Sequence, residues 1–349
     1  MGIKHKTPTF EFYYSLFMLV FGIGVIAVFL CSFVIFLYIM GFWVLFFYIP
    51  LIIGIFSGLF GGEKSYEEDL PKRDQHKLNA IIDEIAKKVN IRKPHKIMLT
   101  EGSGVAVTGF FRKKLIIGMA AIKCMDKKDL EAIIAHEYGH FANKDTIFGY
   151  LTYRIQRFIE IQQKAALDSM HWHLFTLVFA LPTFFFFWLV SKYYSIVTLW
   201  YSRRVEYRAD RFAADVVGEA QFANSLMKYC MLTDIFETMT PQYILHFLEQ
   251  GKALINVYDA IYSLYAVEDN LDKAYHKVML EESSWWSSHP SISERLEKLA
   301  IKKVDVKIPK KNTILLTDQL KFEKEASELL THKWMLYAHI ASAQQEEDE

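Results

Sequence analysis

The sequence predicts an α+β protein, predominantly helical with one small antiparallel sheet, attached to a membrane by transmembrane helices. Three observations carry this expectation: an uncharged apolar run from Phe12 to Gly62, three short apolar runs between Lys96 and Gly118, and helical periodicity through most of the rest. Of 349 residues, 52% are hydrophobic and 15% aromatic, while Lys plus Arg and Asp plus Glu balance at 40 each. A chain without net charge is poorly suited to neutralising phosphates, so no nucleic-acid partner is expected. Cys31, Cys124 and Cys230 are scattered and odd in number, which argues against a disulfide scaffold or a cysteine-rich zinc cage.

Between Phe12 and Gly62 there is no Asp, Glu, Lys, Arg or His. One spanning helix needs about 20 such residues, so the run reads as two crossings that reverse between Cys31 and Phe42, with Ser32 and Gly41 as the natural breaks. Lys4 and Lys6 precede the run and Lys64, Lys72, Arg73 and Lys77 follow it, so the positive-inside rule places both ends in the cytoplasm. Gly54 and Gly58 form a GxxxG pair, either a dimerising surface or two glycines among many in an apolar run; nothing else indicates an oligomer.

After the run, Leu78, Ile81, Ile82, Ile85 and Val89 share one helical face. KIMLT (Lys96 to Thr100), GVAVTGF (Gly104 to Phe110) and KLIIG (Lys114 to Gly118) read as three strands of an antiparallel sheet. Asp126 is placed to cap a helix that carries Leu130, Ile133, Ile134 and Glu137. On that helix lies IIAHEYGHFANKD, Ile133 to Asp145, with the spacing His-Glu-x-x-His.

Residues four apart share a helix face, so His136 and His140 can present imidazole nitrogens to one metal ion. Zinc lowers the pKa of a bound water from 15.7 towards roughly 7, and Glu137 is placed to take the proton and return it to a leaving amine. Gly139 would let another element approach this helix. A third protein ligand is required if one position stays open, and SRRVEYRADRFAAD supplies the candidate: Glu206 for the metal, with Asp210 hydrogen-bonding a ligand histidine from behind. Taken alone, that segment reads better as a solvated helix making surface ion pairs; together with His136 and His140 it reads as the ligand helix.

HEYGH with Asn143 and Asp145, then RRVEYRAD, then SHPSISERLEKL from Ser288 to Leu299, resembles in order and spacing the membrane gluzincin metallopeptidases, the family of HtpX-like proteases and CAAX prenyl endopeptidases. The resemblance covers roughly Lys64 to Leu299 and implies a zincin-like fold with one zinc ion per chain. It implies His136, His140 and Glu206 as ligands, Glu137 as base, and Asn143 with Asp210 behind the ligands. It also implies that His289 and Arg295 lie near the active site, with His289 stabilising the oxyanion. Without that role, His289 and Arg295 read as a helix start, with Pro290 at its first position, and a surface arginine. An edge strand that pairs with the substrate backbone is implied as well, and Gly104, Val105, Ala106, Val107 and Thr108 are the candidates. Many relatives carry an Asn-Ala pair there, which this chain lacks.

A second apolar run, Leu174 to Val190, lies between His140 and Glu206. One full crossing would put the ligands on opposite sides of a membrane. The expected arrangement is an amphipathic helix over Thr146 to Ala166 leaving the site and a segment from Leu174 to Tyr201 dipping into or across the interface and returning, with a hairpin of the two segments restoring the ligands to one side; a buried core helix over Leu174 to Val190 is the alternative. Residues 219–282 read as helices with aromatic faces (Tyr229, Phe236, Tyr243, Phe247, Tyr258, Tyr262, Tyr265), mostly core, with some placed to line a cleft. A helix from about Thr317 to Ala343 and an acidic end follow.

The expected organisation is thus a transmembrane hairpin over 1–62, a zinc metalloprotease domain over 63–304 with a membrane-associated excursion at 146–202, and a helical tail over 305–349. The expected activity is hydrolysis of membrane-associated or misfolded polypeptides in quality control, with the lipid bilayer as second partner. The expected location is a bacterial inner membrane, with catalysis on the cytoplasmic side. The alternatives are specific processing of prenylated or signal-type peptides, and a zinc-holding scaffold without turnover.

Overall fold

A computed structural model describes residues 9–40, 68–69, 76–108, 113–142, 145–169, 174–250, 256–281, 289–306 and 314–348. Helix α1 (Thr9–Met40) runs unbroken through Ser32, so the reversal expected there does not occur. A serine hydroxyl can bond to the preceding helical turn and forces no break. Gly41, the second expected crossing and the Gly54/Gly58 pair lie outside the described residues.

Helix α2 (His76–Val89) buries Leu78, Ile81, Ile82, Ile85, Ala86 and Val89, the face that its periodicity predicts. It ends at Asn90, whose φ of 53° is left-handed, and Ile91 N–H bonds back to the Ala86 carbonyl at 3.1 Å. Four strands form one sheet, β1 (Glu68–Asp69) before α2 and β2 (Lys96–Thr100), β3 (Val105–Thr108) and β4 (Lys114–Gly118) after it, in the order β1-β2-β4-β3. Its pairing is mixed, correcting the antiparallel expectation: β2 and β4 run parallel, while β1 on β2 and β3 on β4 are antiparallel. The chain steps past the β4 position before turning back, which leaves β3 on the edge. Gly118 makes this possible, because a Cβ there would lie 2.3 Å from the Gly102 carbonyl oxygen. Gly118 N–H and Ala120 N–H bond to the Gly104 and Gly102 carbonyls at 2.7 and 3.2 Å.

Helix α3 (Met119–Cys124) is buried along its whole length, including Lys123. Lys123 Nζ is satisfied by Asp259 at 2.5 Å and Glu323 at 2.8 Å. Helix α4 (Lys127–Ala142) starts as expected, with Asp126 Oδ1 accepting from Asp129 N–H at 2.8 Å. The Asp129 carboxylate is itself buried against Lys228 and Ser225, which ties α4 to α7 (Glu219–Glu249).

Helices α5 (Asp145–Ser169) and α6 (Leu174–Val217) pack along each other as a hairpin. The segment expected to dip and return is therefore one continuous helix of 44 residues, about 66 Å at 1.5 Å per residue, whose far end carries Glu206 and Asp210. Phe158 of α5, Phe187 and Tyr194 of α6 and Met18 of α1 form a separate apolar cluster. Helix α1 approaches closely there, because a Cβ at Gly22 would lie 2.4 Å from Ile155 Cδ1. Outward, Val20, Ile23, Val34 and Ile35 of α1 and Phe185, Leu189 and Ile196 of α6 are exposed. Counted on the described residues, no helix is long and apolar enough to cross a membrane.

The main core joins α2, the sheet, α3, α4, the second half of α6 and α7 to α8 (Val257–Tyr265), α9 (Glu268–Leu280), α10 (Ile292–Lys298) and α11 (Gln319–Asp348). Ser291, not Pro290, caps α10, its hydroxyl accepting from Glu294 N–H at 3.3 Å. Proline at position 290 thus precedes the cap instead of opening the helix. Helix α11 continues to Asp348 through the acidic end.

Candidate functional site

The two histidines stand one turn apart on α4, and α6 crosses that helix at Gly139. A Cβ on Gly139 would lie 2.8 Å from Ala209 Cα, so the predicted close approach is real and α6 is the element that makes it. Glu206, one turn before Ala209, is thereby carried to the imidazoles. His136 Nε2 lies 3.3 Å from His140 Nε2 and 3.4 Å from Glu206 Oε2, and His140 Nε2 lies 3.7 Å from Glu206 Oε1. Ligand atoms about 2.0–2.1 Å from a tetrahedral zinc stand roughly 3.3 Å from one another, so this triangle of residues, whose two edges to Glu206 end on different oxygens, is close to the size a zinc ion needs. Two imidazoles and one carboxylate are also the donor set of a catalytic zinc site, with a fourth position left open.

Behind the triangle, Asp210 Oδ1 lies 3.0 Å from His136 Nδ1, a close contact that is not an aligned hydrogen bond. Arg295 grips the same carboxylate with both arms, Nε to Oδ2 at 2.8 Å and Nη2 to Oδ1 at 2.5 Å. It also lies 3.5 Å from Glu206 Oε2. Arg295 is therefore no surface residue; it is the buried counter-charge to two carboxylates. His289, largely exposed, places Nδ1 3.1 Å from Glu206 Oε1.

The electrostatics are those of a site built for a cation. Burial alone would lower the His136 pKa, but the Asp210 and Glu206 carboxylates outweigh it and push it up to about 10. Burial would raise Glu206, yet His136, His289 and Arg295 hold it well below its usual range. Glu206 also holds the His289 imidazole above its ordinary value. A proton on His136 occupies the role that a metal ion would take over, since metal binding requires neutral imidazole.

Glu137 points to the sheet edge, where its Oε2 accepts from Val107 N–H at 3.0 Å. The expected substrate strand is thus found beside the expected base: β3 spans Val105 to Thr108, with Gly104 just before it. Two features escaped sequence reasoning. The Tyr229 hydroxyl accepts from Val105 N–H at 2.8 Å, and no spacing signal links α7 to a strand more than a hundred residues earlier. The bidentate Arg295–Asp210 pair joins residues 85 apart in sequence and is equally invisible to periodicity. Asn143 lies outside the described residues.

The family model of Peptidase family M48 matches residues 72–302, which contain all these groups. The chain belongs to peptidase family M48. Among its relatives, Protease HtpX of Hahella chejuensis is 24% identical over 192 residues, covering 50% of this chain and 65% of that protein. Protease HtpX of Wigglesworthia glossinidia brevipalpis is 26% identical over 193 residues, covering 49% of this chain and 63% of its own length. The chain thus spans a little under two thirds of these M48 relatives. The crystal structure of S. mikatae Ste24p aligns over 84% of this chain and 66% of its own, with a TM-score of 0.35 and 13% identity.

Proposed function

We propose that this M48 chain is a membrane-bound zinc metalloendopeptidase, with His136, His140 and Glu206 holding the ion and Glu137 acting as base. The observation that carries the reading is that two imidazole nitrogens 3.3 Å apart lie 3.4 and 3.7 Å from the two oxygens of one carboxylate brought in by a second helix. Zinc held there would polarise a water molecule and bring its pKa towards roughly 7. Glu137 accepts the proton of the attacking water and delivers it to the departing amine nitrogen. Val107 N–H fixes that carboxylate against the edge strand, so the base waits beside the substrate backbone. His289, against the ligand carboxylate and open to solvent, is placed to donate to the developing oxyanion. Arg295 neutralises Asp210 and keeps Glu206 ionised.

The substrate class follows from β3, an edge strand that reads main chain and so discriminates little between sequences. Membrane-associated or misfolded polypeptides, handled in quality control, fit that. Attachment to lipid rests on α1, 32 residues long and free of charge from Phe12 onward, and on the exposed apolar side chains of α6. Aqueous surfaces rarely leave such faces bare. The α5–α6 hairpin lets α6 enter lipid and still bring Glu206 back to the histidines, on the cytoplasmic side of a bacterial inner membrane by charge distribution.

The test is Glu137→Gln in the full chain purified in detergent. It retains zinc and loses cleavage of an unfolded membrane protein by about 10²- to 10⁴-fold. Cleavage equal to the parent would overturn the assignment of the base.

A further inference from the structure

We propose that Tyr229 closes the substrate groove on the leaving-group side of the scissile bond and so sets how far a substrate can pair with β3. This inference rests on the peptidase reading above and concerns the depth of its substrate cleft.

Antiparallel pairing sets which groups of β3 face outward. Gly104 accepts from Gly118, and the register continues with Ala106 opposite Ile116 and Thr108 opposite Lys114. Bonding alternates along such a ladder, so Val105 and Val107 turn their amides away from β4, towards the cleft. These are the groups that an added strand would use. Both are engaged by cleft side chains: Val107 N–H by Glu137 at 3.0 Å and Val105 N–H by Tyr229 at 2.8 Å.

The two contacts differ in consequence. Glu137 marks the point of chemistry. Tyr229 stands one dipeptide along the strand, roughly 7 Å away, where a substrate carbonyl would otherwise bond to Val105. A substrate laid antiparallel to β3, the more stable pairing, passes Val107 before Val105 in its own N-to-C direction. Tyr229 therefore meets residues on the C-terminal side of the cut. Burial holds the Tyr229 phenol above its usual pKa, so it stays neutral.

The strand cannot make room by shifting. Residues 101–104 are pinned by the two bonds from Gly118 and Ala120, by Tyr258 OH on the Glu101 carbonyl at 2.7 Å, and by Lys333 on the Glu101 carboxylate at 3.2 Å. Only the Tyr229 side chain can yield. Pairing beyond the first residue after the cut thus requires the hydroxyl to be displaced.

The test uses the zinc-loaded full chain in detergent with nested peptides that share one cleavage site and carry one to four residues after it. For the parent, KM does not improve beyond the first of these residues. In Tyr229→Ala, KM falls about 2- to 12-fold as the series lengthens from one residue to three, the fall that one hydrogen bond available without competition gives. In Tyr229→Phe, which keeps the ring and its packing and remains informative if the Ala variant fails to fold, the fall is about threefold. Parent-like length profiles in both variants overturn the proposal while leaving the peptidase reading intact. A zinc-loaded parent that cleaves no member of the series overturns both.

Discussion

Replacing Gly139 with alanine tests whether helix contact sets the ligand geometry. The added Cβ would lie 2.8 Å from Ala209 Cα, 3.1 Å from its Cβ and 3.2 Å from its carbonyl oxygen. Carbon atoms in contact prefer roughly 3.5–4.0 Å, so α4 and α6 must part by about 0.7–1.2 Å. His136 lies one turn before Gly139, and Glu206 lies one turn before Ala209. The same parting therefore stretches the edges of 3.4 and 3.7 Å that Glu206 makes with the histidines. Metal sites tolerate about 0.2 Å of error in ligand distance, so binding suffers more than folding does. Overpacking costs about 1–3 kcal/mol, against about 1 kcal/mol returned by the better helix propensity of alanine. The net loss of about 0–2 kcal/mol lowers the metal-free thermal midpoint by only a few degrees. Zinc affinity, measured by competition with a chromogenic chelator, falls about 10- to 100-fold. Parent-like affinity, or a raised midpoint with full affinity, would refute the argument.

Three further outcomes follow from single contacts. Arg295→Met strips both arms from the buried Asp210 carboxylate and lowers metal-free stability by about 3–5 kcal/mol in denaturant titrations, much of it recovered by adding Asp210→Asn. In the parent, burial would raise the Asp210 pKa, but the Arg295 charge and its hydrogen bonds bring it below the usual 3.8. A depressed carboxylate contributes stability that is present above its unfolded value and lost as pH falls through the folded one, so this share disappears only in strong acid. In Arg295→Met only His136, 3.0 Å from Asp210, still opposes burial, so the carboxyl rises and the acid-side loss of metal-free stability, followed by urea midpoints, begins at a higher pH than in the parent. Leu189→Arg, on the exposed face of α6, reduces the carbonate-resistant membrane fraction at a cost of about 2.5–3.5 kcal/mol, whereas a water-facing site would register within about 0.5 kcal/mol.

How much of this was legible depended on whether the signal was local. The buried face of α2, the Asp126 cap, the paired histidines and the Glu206/Asp210 pair all follow from spacing within one helix, where geometry is fixed by the 3.6-residue period. The close approach at Gly139 was legible too, though not its partner Ala209. Strand order was not, because short apolar runs separated by turns look alike whether neighbours pair in sequence or skip one. Helix α3 was missed because Met119 to Cys124 continues an apolar strand with no side-chain cap to mark a start. The place of Arg295 came only from the resemblance, since its partner lies on another helix 85 residues away. Tyr229 was read as one aromatic among many, and its hydroxyl, not its ring, is what meets β3.

Elemental analysis of the purified full chain and of Glu206→Ala, both dialysed after loading with zinc, bears most directly on the metal centre. The account predicts one zinc per parent chain and close to none in a variant whose circular dichroism still matches the parent. A parent that keeps no metal, or a Glu206→Ala protein that keeps it all, would contradict the assignment of these three side chains to one ion.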